Sequence, residues 1–230
     1  MPNPVPDVPP PTDVLTFVFL AWTAGTAVFA ALSRTWGEIQ SGHFKVVWLT
    51  TAAIAVAAGF GYHPAWIVAG LALLTFAAIY RGASVDRVAG IATGLAAAVV
   101  LGLGTQPYGY AAAAFLGAVT NAMLLGHWHL NQPKLGTKPI ARLVYVLWAA
   151  IGAFVASSVW LLVSRTGAGV RGLAMVTGIV FGVFAAVLTA MVQHLVRTRS
   201  IMSATGILYL EILLAFVAVF TGSLAALVKS

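Results

Sequence analysis

The chain has 230 residues, of which 61% are hydrophobic and 7% charged, with a mean hydropathy of +0.99. A soluble domain carries roughly a quarter charged residues, so this composition excludes a water-soluble globule and points to an integral membrane protein. Cysteine is absent, which excludes disulfides, thiolate-held metals, Fe–S clusters and haem attached through a C-x-x-C-H motif.

The opening MPNPVPDVPPPTD, residues 1–13, is rich in proline and carries no Lys or Arg. It does not resemble the basic n-region of a signal peptide and is expected to form a short, extended, polar arm. The remainder, 14–230, is expected to be one transmembrane helical domain. A spanning helix needs about 20 mostly apolar residues. Eight such runs follow, at 14–33, 46–62, 64–80, 88–104, 108–130, 143–163, 172–196 and 201–227. The segments that part them are rich in breakers: His63-Pro64, Gly82-Ala83-Ser84, Gln106-Pro107, the stretch Asn131 to Pro139, and Thr166-Gly167. The runs are too long and too rich in Ala and Leu for barrel strands, which alternate over about ten residues. The expected fold is therefore all-α, a bundle of about eight transmembrane helices.

Orientation follows from the basic residues. Arg34, Lys45, Arg81, Arg87, Lys134, Lys138, Arg142, Arg197 and Arg199 fall on the odd-numbered loops, nine of the twelve Lys and Arg. Positive-inside logic puts those loops in the cytoplasm and both termini outside, in a multi-pass arrangement in the cell inner (plasma) membrane. The net charge of +7 is then a topology signal and gives no reason to expect nucleic acid as a partner. The odd loops alternate in length, which suggests two parallel four-helix halves, 14–104 and 108–230. No loop is long enough to hold a soluble domain. The expected partners are the lipid bilayer and other protein subunits.

Small residues let membrane helices approach closely. Gly90, Gly94, Gly102, Gly104, Gly178 and Gly182 are read as such packing positions. Most of the seven tryptophans fall near predicted helix ends and are read as belt residues. Walker, G-x-S-x-G, H-E-x-x-H and potassium-filter motifs are all absent.

The polar residues that remain gather at one face. The stretch LGHWHLNQPKL, 125–135, carries His127 and His129, and His194, Arg197 and Arg199 close the run at 172–196. His43 lies on the first loop. Four of the five histidines thus share one side. Residues two apart on a helix point about 200° apart, so one of His127 and His129 is expected to face the bundle and the other the headgroups. Pairing that inward histidine with His194 at matched depth would allow axial ligation of a haem b iron or a hydrogen bond to a quinone. Arg197 or Arg199 would suit a propionate or a carbonyl. Glu211 lies about ten residues into the last run, on the order of 15 Å deep at about 1.5 Å per residue. A charge there costs at least a few kcal/mol, so Glu211 is expected to face the bundle, to be carried protonated, and to serve as a proton relay. Asn121 is a candidate partner for it. If Glu211 is instead only a neutral carboxyl bonded to a Tyr, Thr or Asn of a neighbouring helix, replacing it with Leu is expected to strand that partner.

These residues point first to a membrane subunit of an electron-transfer system, binding haem b or quinone near the cytoplasmic face. Two alternatives stand beside it: a proton-coupled small-molecule transporter using Glu211, and a structural accessory subunit of a larger complex.

Overall fold

The computed structural model describes residues 9–61, 107–129, 131–132, 134–165 and 169–227, with a few isolated positions between 70 and 93. Among these residues there are six helices long and apolar enough to cross a membrane, and no strand. They are α1 (Pro11–Arg34), α2 (Ser41–Gly61), α3 (Tyr108–Trp128), α4 (Lys138–Arg165), α5 (Val170–Arg197) and α6 (Ile201–Ala226). The described residues are all-helical, and their six apolar helices make the chain a multi-pass membrane protein. Apart from those isolated positions, the expected runs at 64–80 and 88–104 lie outside the described residues, and so do Gly90, Gly94, Gly102 and Gly104.

Helix ends depart from the apolar runs for identifiable reasons. α1 begins at Pro11, so the last three residues of the expected arm are helical. Proline fits a first helical turn, where its missing N–H has no partner to lose, and Asp13 in that turn faces the positive end of the helix dipole. α4 begins at Lys138, so Pro139, read as a breaker, is its second residue. α2 begins at Ser41, five residues before the apolar run, and takes His43 and Lys45 out of the loop.

Cross-helix contacts set the topology. Phe17 stacks on Tyr108, and Trp22 Nε1 donates to Thr120 Oγ1 at 2.6 Å, so α1 and α3 run parallel. Tyr108 donates to the Val219 carbonyl at 2.9 Å and Phe154 packs on both Tyr108 and Phe115, so α6 and α4 run antiparallel to α3. Trp148 Nε1 donates to Gln193 Oε1 at 3.0 Å, which pins α4 to α5. One end of the bundle thus gathers Arg34, Ser41, Trp128, Lys138, Arg197 and Ile201, and is called the basic end below.

The tightest crossing joins α1 to α3. A Cβ on Gly117 would run into the Gly25 backbone, and one on Gly25 into the Ala113 carbonyl. Only glycine allows this approach. Gly178 plays the same part against Ala218 and Gly222 on α6, whereas Gly182 meets Phe154 and Val155 on α4. The tryptophans divide differently from expectation. Trp48 is fully buried, Trp22 and Trp148 tie helices together through their N–H groups, and Trp36 lies under the Arg142 guanidinium. An indole serves such sites because it pairs a large apolar face with a single donor.

Candidate functional site

Two places carry chemistry. The first is mid-span, between α5 and α6. Glu211 is fully buried and is the sole acidic residue among the buried described residues. The third and fourth turns of α6 place it on the face toward α5, where Thr189 Oγ1 hydrogen-bonds its Oε1. Thr189 Oγ1 is also 3.1 Å from the Ala185 carbonyl of its own helix. Glu211 Oε2 has no partner among the described residues.

The threonine hydroxyl has one proton and two acceptors within reach. With Glu211 ionised, the hydroxyl donates to the carboxylate. With Glu211 protonated, the acid donates to Thr189 Oγ1 and the threonine proton turns to the Ala185 carbonyl. Both protonation states therefore keep a hydrogen bond, and gain or loss of one proton at the carboxyl, together with a rotation of the threonine hydroxyl, connects them. The expected partner, Asn121, is committed elsewhere. Its amide donates to the Thr26 carbonyl at 3.2 Å and the Gly117 carbonyl at 3.0 Å, which seats it against α1. A threonine of a neighbouring helix was among the expected partner types, but Thr189 itself was not legible, because helix spacing does not say which neighbouring helix a residue will meet.

The second place is a cavity of about 580 Å³ at the basic end, lined by Gly126, His129, Leu135, Gly136, Thr137, Lys138, Arg199, Ile201 and Met202. It forms where α3 ends and where α4 and α6 begin. Two of the residues expected to bind a cofactor, His129 and Arg199, meet there. His127, on the opposite side of α3, is exposed. His194 is exposed near the end of α5 and does not line the cavity, and Arg197 instead borders a groove with Ala141, Tyr145 and Gln193. The facing histidine pair expected for haem is thus not assembled at this cavity. The ring nitrogens of His129 also face carbonyls, Nδ1 at 2.9 Å from Leu125 and Nε2 at 3.3 Å from Gly136. An axial ligand needs one of those nitrogens bare. Among the described residues no group of three or more His, Asp or Glu stands close enough to hold a metal ion.

A polar seam joins the two loops beside this cavity. Arg142 Nη1 is 3.4 Å from Glu38 Oε1, Gln132 Oε1 accepts from Trp128 Nε1 at 3.1 Å, and Gln132 Nε2 donates to the Glu38 carbonyl at 3.5 Å. His43, expected on a loop, is buried within α2 between Phe44 and Trp128, and neither of its ring nitrogens has a hydrogen-bond partner among the described residues.

Among the described residues, fold and sites together define a helical membrane protein with a buried carboxyl in its span and a cationic cavity at its basic end. No protein-family model matches the chain, and neither a curated protein nor a solved structure matches it.

Proposed function

We propose that the protein is a proton-coupled membrane carrier of a small molecule, with Glu211 as the residue that takes up and releases the proton. One observation carries this reading: the Thr189 hydroxyl is within hydrogen-bonding reach of both Glu211 and the Ala185 carbonyl, so the buried carboxyl keeps a bond in either protonation state. A carboxyl inside a membrane span is costly and marks proton or ion pathways by default. In this reading the basic end faces the cytoplasm, both termini lie outside the plasma membrane, and the runs at 64–80 and 88–104 complete eight spans. The missing native thiols make sidedness simple to measure: a cysteine placed at Ser230 should react with an impermeant reagent from outside only.

Infrared difference spectroscopy across pH tests the proton site. The wild-type protein should show a carboxylic C=O band that appears and disappears reversibly, and Glu211→Gln should lack it while keeping its helical circular dichroism. An identical titrating band in Glu211→Gln would end this reading.

A second reading, an electron-transfer subunit that binds a quinone, is favoured by His129 and Arg199 lining one cavity. Its haem form has no facing histidine pair to support it at this cavity.

A further inference from the structure

The cavity at the basic end has a chemistry of its own. Its charged side chains, Lys138 and Arg199, are both cations, and Thr137 and His129 add polar atoms. Among the described residues neither cation has an ion-pair partner. Glu38, on the loop before α2, is engaged by Arg142 at 3.4 Å. Two uncompensated cations on one concave wall attract an anion, and do so most strongly at low ionic strength.

Backbone geometry adds to this attraction. Ile201 and Met202, the first two residues of α6, line the cavity, and the N-cap Ser200 makes no side-chain cap. The N–H groups of that first turn have no partner within the helix. Arg199 holds a positive φ of 61°, in the left-handed region that non-glycine residues seldom occupy. That turn reverses the chain between α5 and α6 and sets Arg199 in the cavity lining.

The volume is far larger than a bare oxyanion. Leu135, Ile201 and Met202 give the remaining wall an apolar character, so the occupant has an uncharged body beside its anionic group. Guanidinium, ammonium and free helix N–H groups together suit phosphate oxygens. A quinone carbonyl would use one donor and leave the second cation without a counter-charge. A basic pocket between membrane helices is also a common seat for lipid headgroups.

We infer that this cavity binds the phosphate group of a phosphate ester, with Lys138 and Arg199 as its cationic ligands. The inference deepens the carrier reading by naming its ligand class, and rests on that reading only for movement of the ligand across the membrane. Binding stands apart, and is read on the cavity residues alone.

The test is calorimetric binding to the full-length protein in maltoside detergent, which holds no phosphate. Two probes distinguish the sources: glycerol 3-phosphate as a soluble ester and dihexanoyl phosphatidylglycerol as a lipid one. At least one should bind, more weakly as salt rises. Lys138→Gln and Arg199→Asn should each weaken binding about tenfold, as expected for a lost charge-assisted contact. Asn is chosen at 199 because it tolerates the left-handed backbone. Arg197→Gln, outside the cavity, should leave binding unchanged. Binding of the lipid probe alone assigns the site to a headgroup, and binding of glycerol 3-phosphate assigns it to a solute. The inference is overturned if neither probe binds, if affinity is the same in the two cavity variants once circular dichroism shows them folded, or if a short-chain quinone competes with the phosphate probe.

Discussion

The α1–α3 pair and the α5–α6 pair both bring helices together through glycines, yet they handle polar groups in opposite ways. In the first, 83% of the spanning stretch of α3 lies inside the bundle, and fixed bonds bridge the helices: Trp22 to Thr120, and the Asn121 amide N–H groups to the Thr26 and Gly117 carbonyls, while Asn121 Oδ1 has no partner among the described residues. In the second, only 33% of the spanning stretch of α5 is buried, with Leu173, Val183, Phe184 and Val187 among its exposed residues. Yet this pair carries the buried carboxyl. Its hydroxyl partner has two acceptors, so its hydrogen bonding has two arrangements where the α1–α3 pair has one. A polar group that serves as glue is bonded in a single way, and one that exchanges a proton needs a second arrangement of similar energy.

The contrast can be broken by substitution, with stability read as thermal or denaturant unfolding in detergent. The largest effect is expected from Gly117→Leu. Its side chain would run into the Gly25 backbone, which cannot step aside as a rotamer can. Overpacking against backbone should cost about 3 kcal/mol or more, and little folded protein should be recovered. Near-native stability would mean that the close crossing is not what holds α1 to α3.

Thr120→Val comes next. It preserves shape and removes the acceptor of the Trp22 indole N–H, a bond of 2.6 Å. A stranded donor costs about 1–2 kcal/mol, less if the indole finds another acceptor, since side-chain bonds between membrane helices average about 0.6 kcal/mol. A variant as stable as wild type would remove the glue from the comparison.

The smallest stability effect is expected from Glu211→Leu. The expectation that leucine would strand a partner does not survive the geometry, because Thr189 retains the Ala185 carbonyl at 3.1 Å. A buried carboxyl carries a desolvation cost that leucine does not, so the change should lie within about 1 kcal/mol of wild type while the titrating infrared band disappears. A loss as large as that of Gly117→Leu would make Glu211 a structural residue and join the two regions into one kind.

The run at 201–227 and the helix Ile201–Ala226 differ by a single residue, because an apolar stretch bounded by polar turns has one way to hide its backbone in lipid. Pro11 and Pro139 were read as arm and breaker and proved to be helix starts, because proline stops a helix only from within. Trp48 was read as a belt residue and is fully buried, because sequence position gives depth along a helix and not the direction in which a side chain points. His194 matched His129 in depth and still does not line its cavity, for the same reason.

Composition and apolar run length alone determined that the chain is a helical membrane protein, since hydrocarbon leaves a backbone few ways to pair its polar groups. They also determined that Glu211 must be buried and that cations crowd one end, because depth along a span follows from counting residues. Which residues meet was decided by tertiary structure. The rotation of α6 turned Glu211 toward Thr189 instead of Asn121, and the junction of three helix ends placed Lys138 beside Arg199 and His129 while leaving His194 outside. Those choices depend on the angle of each helix about its own axis, which the packing of small residues against neighbouring backbones sets and no single helix contains.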